Sequence, residues 1–333
     1  MKQKIKILIT GGAGFIGSHL IEGILKKTNW EIIIIDRLDL SGNLERLRDI
    51  EIWEKEKSRV KFIWWDLKSE INNSIIKEIG HIDYIWHLAA SSHVDRSIQD
   101  PLLFVMDNVV GTCNILNFAK QLKNLKLFIN FNTDECFGPA PEGVFYKEND
   151  RHNPTNPYSA SKVGQWALGV AFENCYKTPI INTYTMNVFG ERQHPEKFIP
   201  MVIKKTLKGE TVIIHSNKTK TQAGKRHYIH ARNVCNALLF ITEKGFSKYE
   251  EFNIVGEEEV DNLTLAKFIA KTLNKKLKYK MSDFHSSRPG HDLRYALSGT
   301  KLKKIGFTYP KTFEESLENT IKWISDPKNK KWL

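Results

Sequence analysis

The sequence predicts an α/β fold, a doubly wound parallel sheet with a smaller C-terminal lobe. Three observations carry that expectation. A short apolar run over residues 4–10 leads directly into GGAGFIG and then into a helical pattern. Apolar runs at 31–35, 60–65, 84–90 and 127–131 alternate with helical stretches, the β-α-β order that builds a parallel sheet with its site at the carboxyl ends of the strands. After a strand expected over 180–185 the composition turns basic and loop-rich, which marks the second lobe. With 333 residues the chain exceeds the usual single-domain size and can bury a large core.

Taken in order, the first elements form a dinucleotide site. Gly11, Gly14 and Gly17 stand where a tight turn needs positive φ, a pyrophosphate needs close backbone approach, and the first helix must pack near the strand. Phe15 and Ile16 share that turn as cofactor-binding candidates, and the helix amides behind them face negative charge. Asp36 ends the second strand nineteen positions after Gly17; a carboxylate there accepts from both ribose hydroxyls and repels a 2'-phosphate, favouring NAD over NADP. Asp66 and Leu67, at the end of the third strand, are placed to touch an adenine ring. The fourth strand ends in the small residues Ala89 and Ala90, which let a cofactor pass close to the backbone.

The fifth strand runs into Thr133, Asp134 and Glu135. Taken alone this triplet equally suits a helix cap or a turn. Its place at the carboxyl edge of the sheet favours chemistry instead. Twenty-three positions after Glu135, Tyr158 opens a helix, and Lys162 lies four residues further along the same face. An ammonium beside a phenol lowers the tyrosine pKa, which suits a base that takes a hydroxyl proton near neutral pH.

The remaining composition excludes several classes. Four dispersed cysteines without a CxxC pair support neither a metal site nor a disulfide framework, and fit a reducing, cytoplasmic setting. Cys136, next to the acidic pair, is expected only to pack. The formal charge of +12 arises from 50 basic against 38 acidic residues spread along the chain, which reads as a lysine-rich solvated surface rather than a nucleic-acid platform. No uninterrupted apolar run reaches transmembrane length, so neither a membrane span nor a signal peptide is expected.

These residues resemble the extended short-chain dehydrogenase/reductases, with their Rossmann domain: GGAGFIG, Asp36, HLAA ending at Ala90, and Tyr158 with Lys162. SHVDRSI from Ser92, TDE from Thr133, HPEK from His194 and RPGHD from Arg288 narrow the resemblance to nucleotide-sugar 4,6-dehydratases of the dTDP-glucose type. The chain is also similar to the UDP-sugar dehydratases of large DNA viruses.

The resemblance implies an NAD-dependent hydro-lyase in which Tyr158, Thr133 and Lys162 serve C4 oxidation, Glu135 removes the C5 proton, and Asp134 protonates the departing C6 hydroxyl. The implied product is a 4-keto-6-deoxy sugar nucleotide. Ser92, Asn187, Glu196, Lys197, Arg226, Arg288 and His291 match positions that hold the sugar or diphosphate. The implied division assigns residues 1–186 and 234–256 to cofactor binding, 187–233 and 257–333 to the substrate lobe. A homodimer joined by helices near Asn108 and Tyr158 is expected.

Departures bear on the substrate. Ser91 stands where the family often has Glu or Gln, Asn233 replaces a customary aspartate, and the loop before Arg226 is lengthened. The small Ser91 leaves room for an acetamido group, which sets UDP-N-acetylglucosamine narrowly ahead of UDP-glucose and dTDP-glucose. C5 epimerisation is an optional further step, though dehydratases that invert C5 usually carry lysine at the position of Glu135. The competing readings are a nucleotide-sugar 4-epimerase, which lacks the acidic pair, and a catalytically silent NAD-binding scaffold.

Overall fold

The computed structural model describes residues 4–246, 249–283 and 293–333. Its first six strands are β1 (Lys6–Thr10), β2 (Glu31–Asp36), β3 (Val60–Trp64), β4 (Tyr84–His87), β5 (Leu127–Thr133) and β6 (Ile180–Thr185). Six more follow: β7 (Asn187–Phe189), β8 (Thr211–Ser216), β9 (Lys225–His230), β10 (Glu250–Ile254), β11 (Glu259–Asp261) and β12 (Lys278–Asp283). The main sheet has seven parallel strands in the order β3-β2-β1-β4-β5-β6-β10. The order reverses beside β1, and that reversal opens the crevice in which doubly wound sheets bind ligands.

The sheet is parallel because its strands are apolar on both faces and helices cover both sides. Ile7 and Ile9 pack with Leu20 and Ile24 of α1 (Phe15–Lys27) on one face. On the other, Leu8, Ile33 and Phe128 meet Ile115 and Phe118 of α2 (Gly111–Ala119). Each such side chain, fully buried, contributes about 1.5–3 kcal/mol.

Helix α3 (Pro157–Tyr176) begins where its sequence dictates. Asn156 caps it by accepting from the Ser159 amide at 2.8 Å, the Ser159 hydroxyl caps the Asn156 amide in return at 3.2 Å, and Pro157 takes the first helical position. This start fixes Tyr158 at the sheet's carboxyl edge.

The second core gathers Ile199, Val202, Ile214, Leu265 and Leu317 from α4 (Phe198–Lys208), β8, α5 (Asn262–Thr272) and α6 (Phe313–Ser325). Around it stand the small sheet β11-β9-β7 and the pair β12-β8. The segment 231–254 returns to the main sheet, where β10 pairs with β6. Leu302 and Phe307 also pack into the main core. Strand β9 begins at Lys225, so Arg226 lies on a strand and the loop expected over 217–226 closes two residues earlier, at Gly224.

Helical structure runs continuously over Pro101–Ala119 through a π-helical turn at Met106–Val110. By length and composition this run could cross a membrane, yet half of it is buried against the fold, as in the core helix of a globular protein.

Candidate active site

One cavity of about 480 Å³ runs from the glycine turn past the ends of β4 and β5 to α3 and the loop before α4. Gly11, Gly14, Phe15, Ile16, Gly17, Asp36, Asp66, Leu67 and Ala89 line its first half. Ser92, Thr133, Asp134, Glu135, Tyr158, Lys162, Asn187, Glu196 and Lys197 line the second.

The glycine turn leaves no room for side chains. At Gly11, with φ at +72°, a Cβ would stand 2.9 Å from the Ala89 backbone; at Gly17 it would stand 2.3 Å from the Gly11 carbonyl oxygen. The strand, turn and helix are therefore in direct backbone contact, and the surface they present suits a pyrophosphate. Asp36 accepts from the Ala13 amide at 3.0 Å and the Leu38 amide at 2.9 Å, which fixes its carboxyl at the cavity wall. Burial pushes its pKa upward against those two amides. Glycine turn, adjoining helix and acidic residue together fit a dinucleotide without a 2'-phosphate.

At the far end Thr133 is the junction. Its hydroxyl donates to Asp134 Oδ1 at 2.9 Å and accepts from the Glu135 amide at 3.4 Å, and Tyr158 lines the same cavity wall. Asn156, the cap of α3, donates to Glu135 Oε2 at 3.2 Å. Both carboxyls are raised above the ordinary range, Asp134 by burial and Glu135 by burial and the neighbouring Asp134. Two coupled, buried carboxyls retain a proton at higher pH than isolated ones, so an acid and a base can coexist near neutrality. The Asn156 donor favours charge on Glu135. Asp134 Oδ2, buried without a protein partner, suits the protonated role.

The structure corrects one expectation. Tyr158 is raised well above its ordinary pKa rather than lowered, first by burial and then by the Glu135 carboxyl. Lys162 does not offset this, because its ammonium donates to the Phe131 carbonyl at 2.7 Å and Gln165 Oε1 at 2.5 Å, while burial lowers its own pKa to about 7. In the protein by itself the phenol is neutral.

The substrate candidates divide. Asn187 and Lys197 line the cavity, as does Glu196, whose carboxylate lies 3.7 Å from Arg96. Arg226 is not in the cavity wall: Nη1 donates to the Lys225 and Leu293 carbonyls, each at 2.7 Å, and the guanidinium lies over the Tyr295 ring. It still lowers the Asp134 and Glu135 pKa values through space, behind the larger effect of burial. Arg288 and His291 lie outside the described residues.

A family model described as GDP-mannose 4,6 dehydratase matches residues 8–320. The chain is 34% identical to dTDP-glucose 4,6-dehydratase of Escherichia coli, over 98% of this chain and 95% of that one. The chain belongs to the nucleotide-sugar 4,6-dehydratase family.

Its fold matches a solved dTDP-glucose 4,6-dehydratase of Streptomyces venezuelae with NAD bound, at a TM-score of 0.86 and 29% identity over 98% of both chains. A UDP-glucose 4-epimerase of Thermus thermophilus in complex with NAD superposes nearly as well, at 0.85 and 26% identity, covering 97% of this chain and all of that one. The fold therefore does not separate dehydration from epimerisation. This dehydratase is an NAD-dependent hydro-lyase acting on a nucleotide sugar, with the seven-stranded Rossmann sheet of the extended short-chain dehydrogenase/reductases.

Several residues of the dehydratase site escaped the sequence reading. Gln193 lines the cavity with Oε1 buried and unpartnered, and Tyr228 lines it while donating to Asn262 at 2.8 Å. Asn156, which caps α3 and donates to Glu135, was not singled out. Arg37, directly after Asp36, carried a signal in its position that went unused.

Proposed function

We propose that the enzyme converts a nucleoside diphosphate-glucose to the 4-keto-6-deoxy sugar nucleotide. The observation that carries the reaction is the convergence of the Thr133 hydroxyl, hydrogen-bonded to Asp134, with Tyr158 and Glu135 in one cavity wall. Only a site that oxidises C4 and then eliminates water needs all four groups together. Thr133 holds the C4 oxygen while Tyr158 takes its proton. NAD, when bound, would supply the hydride acceptor for C4 and the donor for C6, and its positive charge would oppose the burial that raises the Tyr158 pKa. The C4 ketone acidifies the C5 proton, which Glu135 removes. Asp134 gives a proton to the C6 hydroxyl, and water leaves. Lys162 braces the Tyr158 face of α3 and is placed to hold the nicotinamide ribose. Asn187, Glu196 and Lys197 receive the sugar diphosphate.

Glucose is favoured as the sugar over N-acetylglucosamine. Relatives at 34% identity are named for dTDP-glucose and, in Arabidopsis thaliana, for UDP-glucose; the chain spans about half of the latter, a trifunctional protein. Ser91 lines the cavity with its polar groups already paired, which leaves none of them for an acetamido group. Its hydroxyl donates to Asp107 at 2.6 Å, and Asn108 pairs with its backbone amide and carbonyl at 2.8 and 2.9 Å. The deciding experiment offers UDP-glucose, dTDP-glucose and UDP-N-acetylglucosamine, with products followed by the alkali-induced absorbance of a 4-keto sugar and by NMR. Ketone from a glucose nucleotide is expected. An epimer without ketone refutes dehydration, and turnover of UDP-N-acetylglucosamine alone refutes the sugar assignment.

A homodimer completes the proposal. Ile98, Leu102, Leu103 and Val105 form an exposed apolar face on the helical segments beside α3, with Leu102 67% exposed. A second copy packing helix to helix covers it.

A further inference from the structure

The residue after Asp36 poses a question that the family assignment leaves open. An arginine beside the end of the second strand is the usual receiver of a 2'-phosphate, so Asp36 and Arg37 point to different dinucleotides. The structure resolves the conflict through the partners of Arg37. Guanidinium has five N–H donors. Nε and Nη2 donate to Asp39 Oδ2 at 2.9 and 2.6 Å. Nη1 and Nη2 form a fork to Asp107 Oδ1 and Oδ2 at 2.6 and 2.7 Å. The remaining Nη1 donor faces Asp66 Oδ1 at 3.5 Å. Each donor is directed at a carboxylate.

Asp107 makes the decisive pair. Its side chain is 4% exposed against 23% for Arg37, and the bidentate geometry is the strongest that arginine makes. It projects from the π-helical turn, seventy residues away in sequence, and is held from its other side by the Ser91 hydroxyl at 2.6 Å. Asp36, Asp39, Asp66 and Asp107 here outnumber Arg37, Lys68, whose ammonium lies 3.4 Å from Asp66, and Arg46, whose Nη1 donates to the Ser41 carbonyl at 2.6 Å, by a formal charge of −1. A 2'-phosphate entering beside Asp36 meets net negative charge and, at Arg37, a guanidinium without a spare donor.

We propose that Asp107 is a specificity-determining residue for the dinucleotide: by saturating Arg37 it withholds the guanidinium from a 2'-phosphate, so that NADP is excluded by Asp107 as well as by Asp36. This rests on the placement of the adenosine ribose at Asp36. Arg37 then spans β2 and the π-helical turn as a brace beside the adenosine half of the cavity, rather than serving as a phosphate receiver.

The test reads bound nucleotide rather than turnover. Wild type, Asp36→Ser, Asp107→Asn and the double variant are incubated with equal NAD and NADP, desalted and denatured, and the released nucleotide is separated by chromatography. Wild type is expected to release NAD. Asp36→Ser alone should gain little NADP, because Arg37 stays saturated. The double variant, freeing a charge-assisted fork, should raise the NADP-to-NAD ratio about tenfold or more over Asp36→Ser. Adding Arg37→Gln to the double variant should abolish that gain. Asp107→Ser is carried in parallel, in case asparagine at this buried position impairs folding. A ratio in the double variant within about twofold of Asp36→Ser, or a gain that survives Arg37→Gln, overturns the proposal. Wild type that releases neither dinucleotide overturns the cofactor placement at Asp36 and this inference with it.

Discussion

Replacing Asp134 with asparagine separates the cost of burying this carboxyl from its use. Asp134 is 5% exposed, and burial raises its pKa from 3.8 to about 6, partly offset by the Thr133 hydrogen bond and by Arg226. A carboxyl whose pKa is higher folded than unfolded favours the fold at low pH, fully below its unfolded value. That contribution is lost as pH rises through the folded value. A rise of roughly two pH units corresponds to at most about 3 kcal/mol. Asparagine keeps an acceptor for the Thr133 hydroxyl and carries no charge. The variant should therefore gain stability relative to wild type between about pH 4 and about pH 7, by up to about 3 kcal/mol, and the difference should be flat above that, in urea denaturation followed across the range. A constant offset from altered packing does not affect this slope. Turnover should fall by about 10²–10⁴-fold, because an amide cannot protonate the departing C6 hydroxyl. A stability difference that does not change with pH, or one that moves against the variant as pH rises, would refute the burial argument.

The other predictions concern the base, the turn and the dimer face. Glu135→Gln should stop incorporation of solvent deuterium at C5, measured by NMR, while bound NAD is retained and the melting temperature at neutral pH does not fall, since this carboxyl too is raised by burial. Since burial and Asp134 raise the Glu135 pKa, wild-type kcat/KM should climb with pH through a limb above the ordinary carboxylate range, and continued deuterium exchange in Glu135→Gln removes that residue from the role. Gly17→Ala places a Cβ 2.3 Å from the Gly11 carbonyl oxygen and 2.7 Å from Gly12 Cα, so it should release NAD on desalting and lower the unfolding midpoint; full NAD retention contradicts the close-approach reading. Leu102→Glu puts a charge on the exposed apolar face and should shift sedimentation from dimer to monomer, whereas a wild type already monomeric rules out the interface.

The legible part of this protein lies in short spacings. GGAGFIG after an apolar strand could hardly form anything but a close-packed turn, and the structure shows backbone in contact with backbone there. Asp36 at the end of β2, Thr133 at the end of β5 and Tyr158 at the start of α3 were all readable because strand ends and helix caps are local properties. The substrate side was less legible. Arg226 looked like a diphosphate ligand, but two backbone carbonyls hold its guanidinium outside the cavity wall. The pairing of Tyr158 with Lys162 gave their shared face correctly and the direction of the tyrosine shift wrongly, since spacing reports neighbours and not the desolvation around them.

The sequence by itself determined the strands, the glycine turn and the place of the acid pair at a strand end, because each is encoded within a few covalently linked residues. The tertiary structure alone decided how those groups are charged and which partners they keep. Arg37 becomes a brace because Asp107 reaches it from seventy residues away. Tyr158 is raised above its ordinary pKa because the fold encloses it. Burial and long-range pairing are set by packing of the whole chain, and no local pattern contains them.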